Sequence, residues 1–144
     1  MPTVTIEKEA LFVHLCRSYT DKEFDELCFE FGIELDEITS EREEAEKGSN
    51  LSKKELEKYS AAVVYKIDVP ANRYDLLCVE GLSRAIKIFL GDMDAPVYQL
   101  TAPDKMETMT VQQDATSTVR PFVVCAILRD VAFTPERYAS FIDL

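Results

Sequence analysis

Side chains able to do chemistry are sparse and scattered along this sequence. The single histidine, His14, would have to serve any Ser-His-Asp or Cys-His nucleophile system, because those mechanisms pass a proton through an imidazole beside the nucleophile. It lies next to the apolar pair Leu11 and Leu15, and a lone histidine in that setting reads as structural. The four cysteines, Cys16, Cys28, Cys78 and Cys125, form no C-x-x-C pair, and their spacing matches no zinc pattern. Each sits in an apolar run and reads as a reduced, buried thiol of a cytosolic protein. Four unclustered glycines make no phosphate-binding loop of the P-loop or dinucleotide-binding kind. The 27 acidic residues follow surface patterns, and no acid/base pair stands out among them. No residue is therefore nominated as catalytic, cofactor-binding or metal-ligating.

One constellation is unusual, the run from Ile67 to Ile86 that carries Pro70, Asn72, Arg73 and Asp75. Pro70 pre-sets a turn out of a strand, and Asn72 tolerates turn geometry. Asp75 is placed to cap the helix that follows, where its charge suits the helix N-terminus. Arg73 is within reach of Asp75 or of a carbonyl across the turn. Glu80 and Arg84 stand four residues apart in the favourable order. Taken functionally, Asn72, Arg73 and Asp75 would form a binding cluster. The reading favoured here is a structural corner, since local geometry consumes their polar groups and nothing nearby supplies a pocket.

The elements around this corner follow from periodicity. Val4–Ile6 suit a short strand, and a helix follows over 7–18 with Leu11, Phe12 and Leu15 on one side. Thr20 and Glu23 have capping-box spacing. The next helix carries Phe24, Leu27, Cys28 and Phe31 as an apolar stripe and stops at Gly32. Residues 33–36 alternate as an extended segment. Residues 39–60 are polar and acidic and read as an exposed, solvated loop, with a short helix opened by a capping box at Ser52 and Glu55. Residues 62–69 alternate as a half-buried strand with Val63, Tyr65, Ile67 and Val69 on one face. A helix over about 76–90 follows, ended by Gly91. Residues 97–100 and 106–111 are weaker strand candidates. The apolar run 119–128 reads as a strand covered on both faces. Thr134 and Pro135 open a last helix. The fold class is α+β.

Composition narrows the function classes. The chain has 144 residues, 47% of them hydrophobic, which provides enough apolar mass for a core. Its net charge is -11, and residues 21–58 hold 14 acidic against 6 basic side chains. Free nucleic-acid binding is mainly phosphate neutralisation by Lys and Arg. The chain is thus expected to bind little tRNA or other RNA alone. No apolar run approaches a membrane span and no signal core opens the chain, so a cytoplasmic protein without membrane contact is expected.

The stretch Val69-Pro70-Ala71-Asn72-Arg73-Tyr74-Asp75, followed by Glu80-Gly81-Leu82-Ser83-Arg84, resembles the signature of phenylalanyl-tRNA synthetase beta subunits. The run from Tyr19 to Glu37 resembles the archaeal and eukaryotic cytosolic type, and the opening Met1-Pro2-Thr3-Val4, Arg120-Pro121-Phe122-Val123 and Phe133-Thr134 match it in order. The likeness weakens over 41–61 and 92–118. It implies an alpha2-beta2 heterotetramer that charges the phenylalanine tRNA using ATP and magnesium, with the adenylating site on the alpha subunit. It implies an N-terminal α+β domain over 1–91, holding the acidic loop at about 39–60, then a connector over 92–118. Residues 119–144 would be the first strand and helix of an incomplete editing domain. The editing pocket and the magnesium residues would lie downstream, so no functional residue of the family carries over, and Pro70, Asn72, Arg73 and Asp75 remain a structural signature. The piece itself is expected to be non-catalytic, with a structural or assembly role. The alternative is a stand-alone short interaction module, derived from the same domain, that binds a protein partner.

Overall fold

The computed structural model describes residues 2–48, 53–99 and 101–143. The chain divides into two compact units, one of Met1–Ala95 with Pro135–Leu144 and the other of Pro96–Thr134. The first holds a three-stranded antiparallel sheet in which β3 (Val63–Asp68) lies between β1 (Thr3–Glu7) and β2 (Glu34–Ser40). Alternation puts Tyr65 and Ile67 of β3 and Ile6 of β1 into the core. There they meet Leu11, Phe12 and Leu15 of α1 (Lys8–Leu15), Phe24, Leu27 and Cys28 of α2 (Asp21–Phe31), and Leu82 and Ile86 of α5 (Val79–Phe89). Phe24 stacks on Tyr65 at 4.9 Å, and Phe12 meets both rings edge-on. The Tyr65 hydroxyl donates to Asp21 Oδ1 at 2.7 Å, and Lys8 Nζ reaches the same oxygen at 2.7 Å. Lys8, then Tyr65, hold the Asp21 carboxyl below the usual range, and burial followed by Asp21 pushes the Tyr65 phenol up.

Local chemistry sets the ends of α2. Thr20 Oγ1 accepts from Glu23 N at 3.3 Å while Glu23 Oε2 accepts from Thr20 N at 2.8 Å, the reciprocal capping box. Gly32 ends the helix at φ 92°, a left-handed conformation that favours glycine.

The acidic segment expected as a loop over 39–60 is instead part strand and part helix. β2 runs on to Ser40, with Thr39 and Ser40 buried, and α3 occupies Glu41–Gly48. Ser40 Oγ accepts from Glu43 N at 3.3 Å, so Ser40-Glu41-Arg42-Glu43 is a helix start. The helix is anchored by charge: Lys66 of β3 bridges Glu44 at 2.5 Å and Glu37 at 2.9 Å, and Lys47 also meets Glu37, at 3.0 Å. Glu44 and then Glu37 push the Lys66 ammonium up, and Lys66 and then Lys47 hold Glu37 below the usual carboxylate range. A short helix α4 (Lys53–Leu56) follows; the capping box expected at Ser52 lies outside the described residues.

Two cysteine expectations also change. Cys28 is buried, and burial, then Asp25, push its thiol up to about 12. Cys78 is half-buried, but Cys16 and Cys125 are exposed. Cys16 is the left-handed residue that closes α1, at φ 57°, which turns it out of the apolar stripe.

Among the described residues of Pro96–Thr134 the only regular element is α6 (Gln113–Thr116). The strands expected over 97–100 (Leu100 lies outside the described residues), 106–111 and 119–128 are not formed. Phe122, Val124 and Leu128 are 88%, 96% and 83% exposed. An apolar run becomes a strand only beside a neighbour that takes its backbone hydrogen bonds, and no strand lies alongside this one among the described residues. The last helix does form, as α7 (Pro135–Asp143), and Ser140 Oγ donates to Glu80 Oε2 on α5 at 2.7 Å.

Candidate functional site

The corner between β3 and α5 is built on backbone hydrogen bonds. Val69 N donates to Pro2 O at 3.0 Å, tying the end of β3 to the start of the chain. Arg73 N donates to Pro70 O at 2.9 Å and closes the turn that Pro70 opens. A 3-10 turn over Tyr74–Leu76 follows and sinks Leu76 into the core. Helix α5 therefore starts at Val79, later than the expected Leu76, and Cys78 stands at its cap position without a capping side-chain bond.

Asp75 is accordingly not the cap the sequence implied. Its carboxylate instead takes two bonds from Arg73, Nε to Oδ1 at 2.9 Å and Nη2 to Oδ2 at 2.8 Å. This forked pairing matches the planar guanidinium to the carboxylate. The Arg73 guanidinium beside Asp75 holds its carboxyl below the usual range. The same guanidinium lies 6.0 Å from the centre of the Phe31 ring at the end of α2. Phe31 in turn meets Phe89 of α5 edge-on at 5.5 Å. Gly81, in the first turn of α5, lies against the backbone carbonyl of Asp75, at a distance no Cβ would tolerate.

These contacts frame an open groove of about 370 Å³, lined by Arg73, Asp75, Gly81, Arg84, Phe31 and Phe89 among others. The expectation that no pocket lies near the signature is thus overturned. The structure brings Arg73 and Asp75 together at the groove and leaves Pro70 and Asn72 outside its lining. Phe31 and Phe89, absent from the sequence-derived cluster, form its aromatic wall. A partial signal existed: Phe31 closes the α2 stripe and packs against the core, and Phe89 stands three residues after the buried Ile86 on α5. No cysteine, histidine or serine lines this groove, and no group of three or more potential metal ligands occurs among the described residues. With the arginine and carboxylate spent on each other, the site suits packing or recognition better than bond-making. His14, on α1, is exposed and is not among the groove's lining residues.

A family model described as the Phe-tRNA synthetase beta subunit B1 domain matches residues 1–92. The phenylalanine–tRNA ligase beta subunit of Homo sapiens is 52% identical over 144 residues, covering 100% of this chain and 24% of that protein. That of Caenorhabditis elegans is 51% identical over 152 residues, again covering 100% and 24%. The cytoplasmic beta subunit of Arabidopsis thaliana is 44% identical over 146 residues, with the same coverage of 100% and 24%. This chain thus spans about a quarter of the length of these curated relatives. Among solved structures, an N-terminal fragment of the phenylalanyl-tRNA synthetase beta-subunit from Pyrococcus horikoshii superposes with a TM-score of 0.51 at 26% identity. It covers 72% of this chain and 25% of that one. No described helix is long and apolar enough to cross a membrane.

Proposed function

The chain belongs to the phenylalanyl-tRNA synthetase beta-subunit family, and from that membership we propose that it is the N-terminal, non-catalytic part of a phenylalanine–tRNA ligase beta subunit, with a structural and assembly role. In this reading the complete enzyme attaches phenylalanine to its tRNA in the cytoplasm, using ATP and Mg2+. It works as an alpha2-beta2 heterotetramer whose alpha subunit carries the adenylating site, with editing performed by beta-subunit residues beyond this chain. The observation that supports the role of this piece is the closure of its signature on itself. Arg73 and Asp75 are bonded to each other at 2.8 and 2.9 Å, so the motif stabilises a corner and is not held ready for a reacting group. The acidic balance of the chain, -11, supports leaving most of the tRNA contact to other parts of the enzyme.

Co-expression of the tagged 144-residue chain with a full-length alpha subunit tests the assembly role, and co-elution from the affinity and sizing columns is the expected result. Separate elution would count against that role. The purified chain alone is expected to form no phenylalanyl-adenylate and to release no tyrosine from tyrosyl-tRNA. Specific turnover in either assay would overturn the non-catalytic reading.

A further inference from the structure

On the opposite margin of α2, away from its apolar stripe, one large apolar side chain lies outside the core. Phe29 is 86% exposed in the middle of the polar face of the helix. The stripe of Phe24, Leu27, Cys28 and Phe31 supplies the packing, and Phe29 is outside the core cluster. Gly32 then turns the backbone through its left-handed conformation and lays Ile33 and Glu34 beside the helix. Phe29, Ile33 and Glu34 line an open groove of about 760 Å³, together with Asp25, Glu26 and Glu30. Ile33 is buried, whereas the Phe29 ring projects.

We propose that this groove is a docking site for a cationic polypeptide segment that carries an apolar side chain. Charge complementarity selects the occupant. Four carboxylates surround the ring, and no lysine or arginine lines the groove. Lys22 approaches Glu26 at 3.6 Å with both side chains well exposed, and among the described residues no salt bridge closes on Asp25, Glu30 or Glu34. An apolar side chain packed on Phe29 would supply the desolvated centre from which interface affinity mostly comes. Lysines or arginines around it would meet the carboxylates, and one would lie over the ring face. A nucleic acid is repelled by this rim, and so is a second copy of a chain whose residues 21–58 already carry 14 acidic against 6 basic side chains.

The test uses the 144-residue chain and fluorescein-labelled peptides read by anisotropy. A peptide of alternating lysine and leucine is expected to bind, and its counterpart with glutamate in place of lysine is not. Phe29→Ser is expected to weaken binding by about tenfold, and Glu26→Gln with Glu30→Gln is expected to weaken it and flatten its dependence on salt. Both variants change exposed side chains, and circular dichroism confirms that they fold. A pair of exposed acids elsewhere, Glu46→Gln with Glu57→Gln, is expected to change little. Wild-type binding by Phe29→Ser would overturn the proposal, as would an equal loss in the distant pair. Tighter binding of a labelled RNA, or dimerisation that depends on Phe29 in sedimentation, would overturn it in favour of those occupants.

Discussion

Gly81 is the residue on which the corner turns. A Cβ there would overlap the backbone carbonyl of Asp75, which has no rotamer through which to yield. Gly81→Ala is expected to destabilise the chain by about 3 kcal/mol, the upper range for overpacking a tight site, measured from the urea midpoint. Gly32 supplies the contrast. A Cβ there would meet nothing within 4 Å, but the backbone stands at φ +92°. Gly32→Ala is expected to cost only the left-handed strain, about 1 kcal/mol. A midpoint shift for Gly81→Ala no larger than that of Gly32→Ala would remove the steric account. The Arg73–Asp75 pair makes a different prediction. Its side chains are 41% and 51% exposed, so solvent screens it and its net worth is about 0.5 kcal/mol. The folded state depresses the Asp75 value, so the pair's contribution is complete above the ordinary aspartate value of 3.8 and is lost as pH falls through the depressed one. Asp75→Asn is expected to unfold slightly earlier than wild type at neutral pH, with the gap closing at strongly acid pH; a gap that widens on acidification would reverse the assignment. The pairing was legible in the sequence only as one of two partners for Arg73, because the two residues are neighbours in the same turn, while Asp75 itself was expected to cap the helix. The groove was not legible, because Phe31 and Phe89 come from different helices and meet only when α2 and α5 pack on the sheet.

Helices and strands were legible where their side chains carried a period. The stripe on α2 and the alternation in β3 each point one face at the core, and both elements form where the pattern puts them. Helix α3 escaped notice because Glu41–Gly48 has no apolar face to count, and its start signal at Ser40 and Glu43 lay inside a run read only as charge. Its ties to the sheet include Lys66 on Glu44 and Glu37 and Lys47 on Glu37, a tertiary pattern that no local window reveals. The run over 119–128 failed in the opposite way. Its apolar residues announced a strand, but a strand also needs a neighbour. At this scale the capping box on α2 gives a direct measurement. Thr20→Ala removes the acceptor for Glu23 N and is expected to cost about 1 kcal/mol in urea unfolding. Thr20→Ser keeps the oxygen and is expected to stay near wild type, and equal losses in the two variants would show that the methyl group, not the cap, matters.

The molecule as a whole joins a unit with a closed core to a stretch that, among the described residues, has no buried side chain. Among the described residues, every fully buried side chain lies within residues 1–95, where Tyr65, Phe24, Ile67, Leu76, Leu82 and Ile86 pack between the sheet and three helices. Cooperative unfolding follows burial, because burial supplies most of the favourable free energy of folding. The segment 96–134 contributes exposed apolar surface instead: Val97, Phe122, Val124 and Leu128 are all more than four-fifths exposed. Helix α7 adds, among its contacts, the bond from Ser140 to Glu80, a hydrogen bond to a charged group at a half-buried site. Its loss costs about 1–2 kcal/mol. A chain ending at Ala95 is therefore expected to keep the cooperative transition of the 144-residue chain, with a stability lower by about 2 kcal/mol or more, because the bond from Ser140 to Glu80 is lost with α7. It is also expected to bind less of the dye ANS, because the exposed apolar run that would attract the dye has been removed. Urea unfolding followed by tyrosine fluorescence, with ANS emission read in parallel, measures both quantities on the same samples. Loss of the cooperative transition would mean that residues 96–144 hold the core together despite their exposure. A retained transition with undiminished dye binding would place the adhesive surface on the folded unit itself, with the projecting ring of Phe29 as the first residue to substitute.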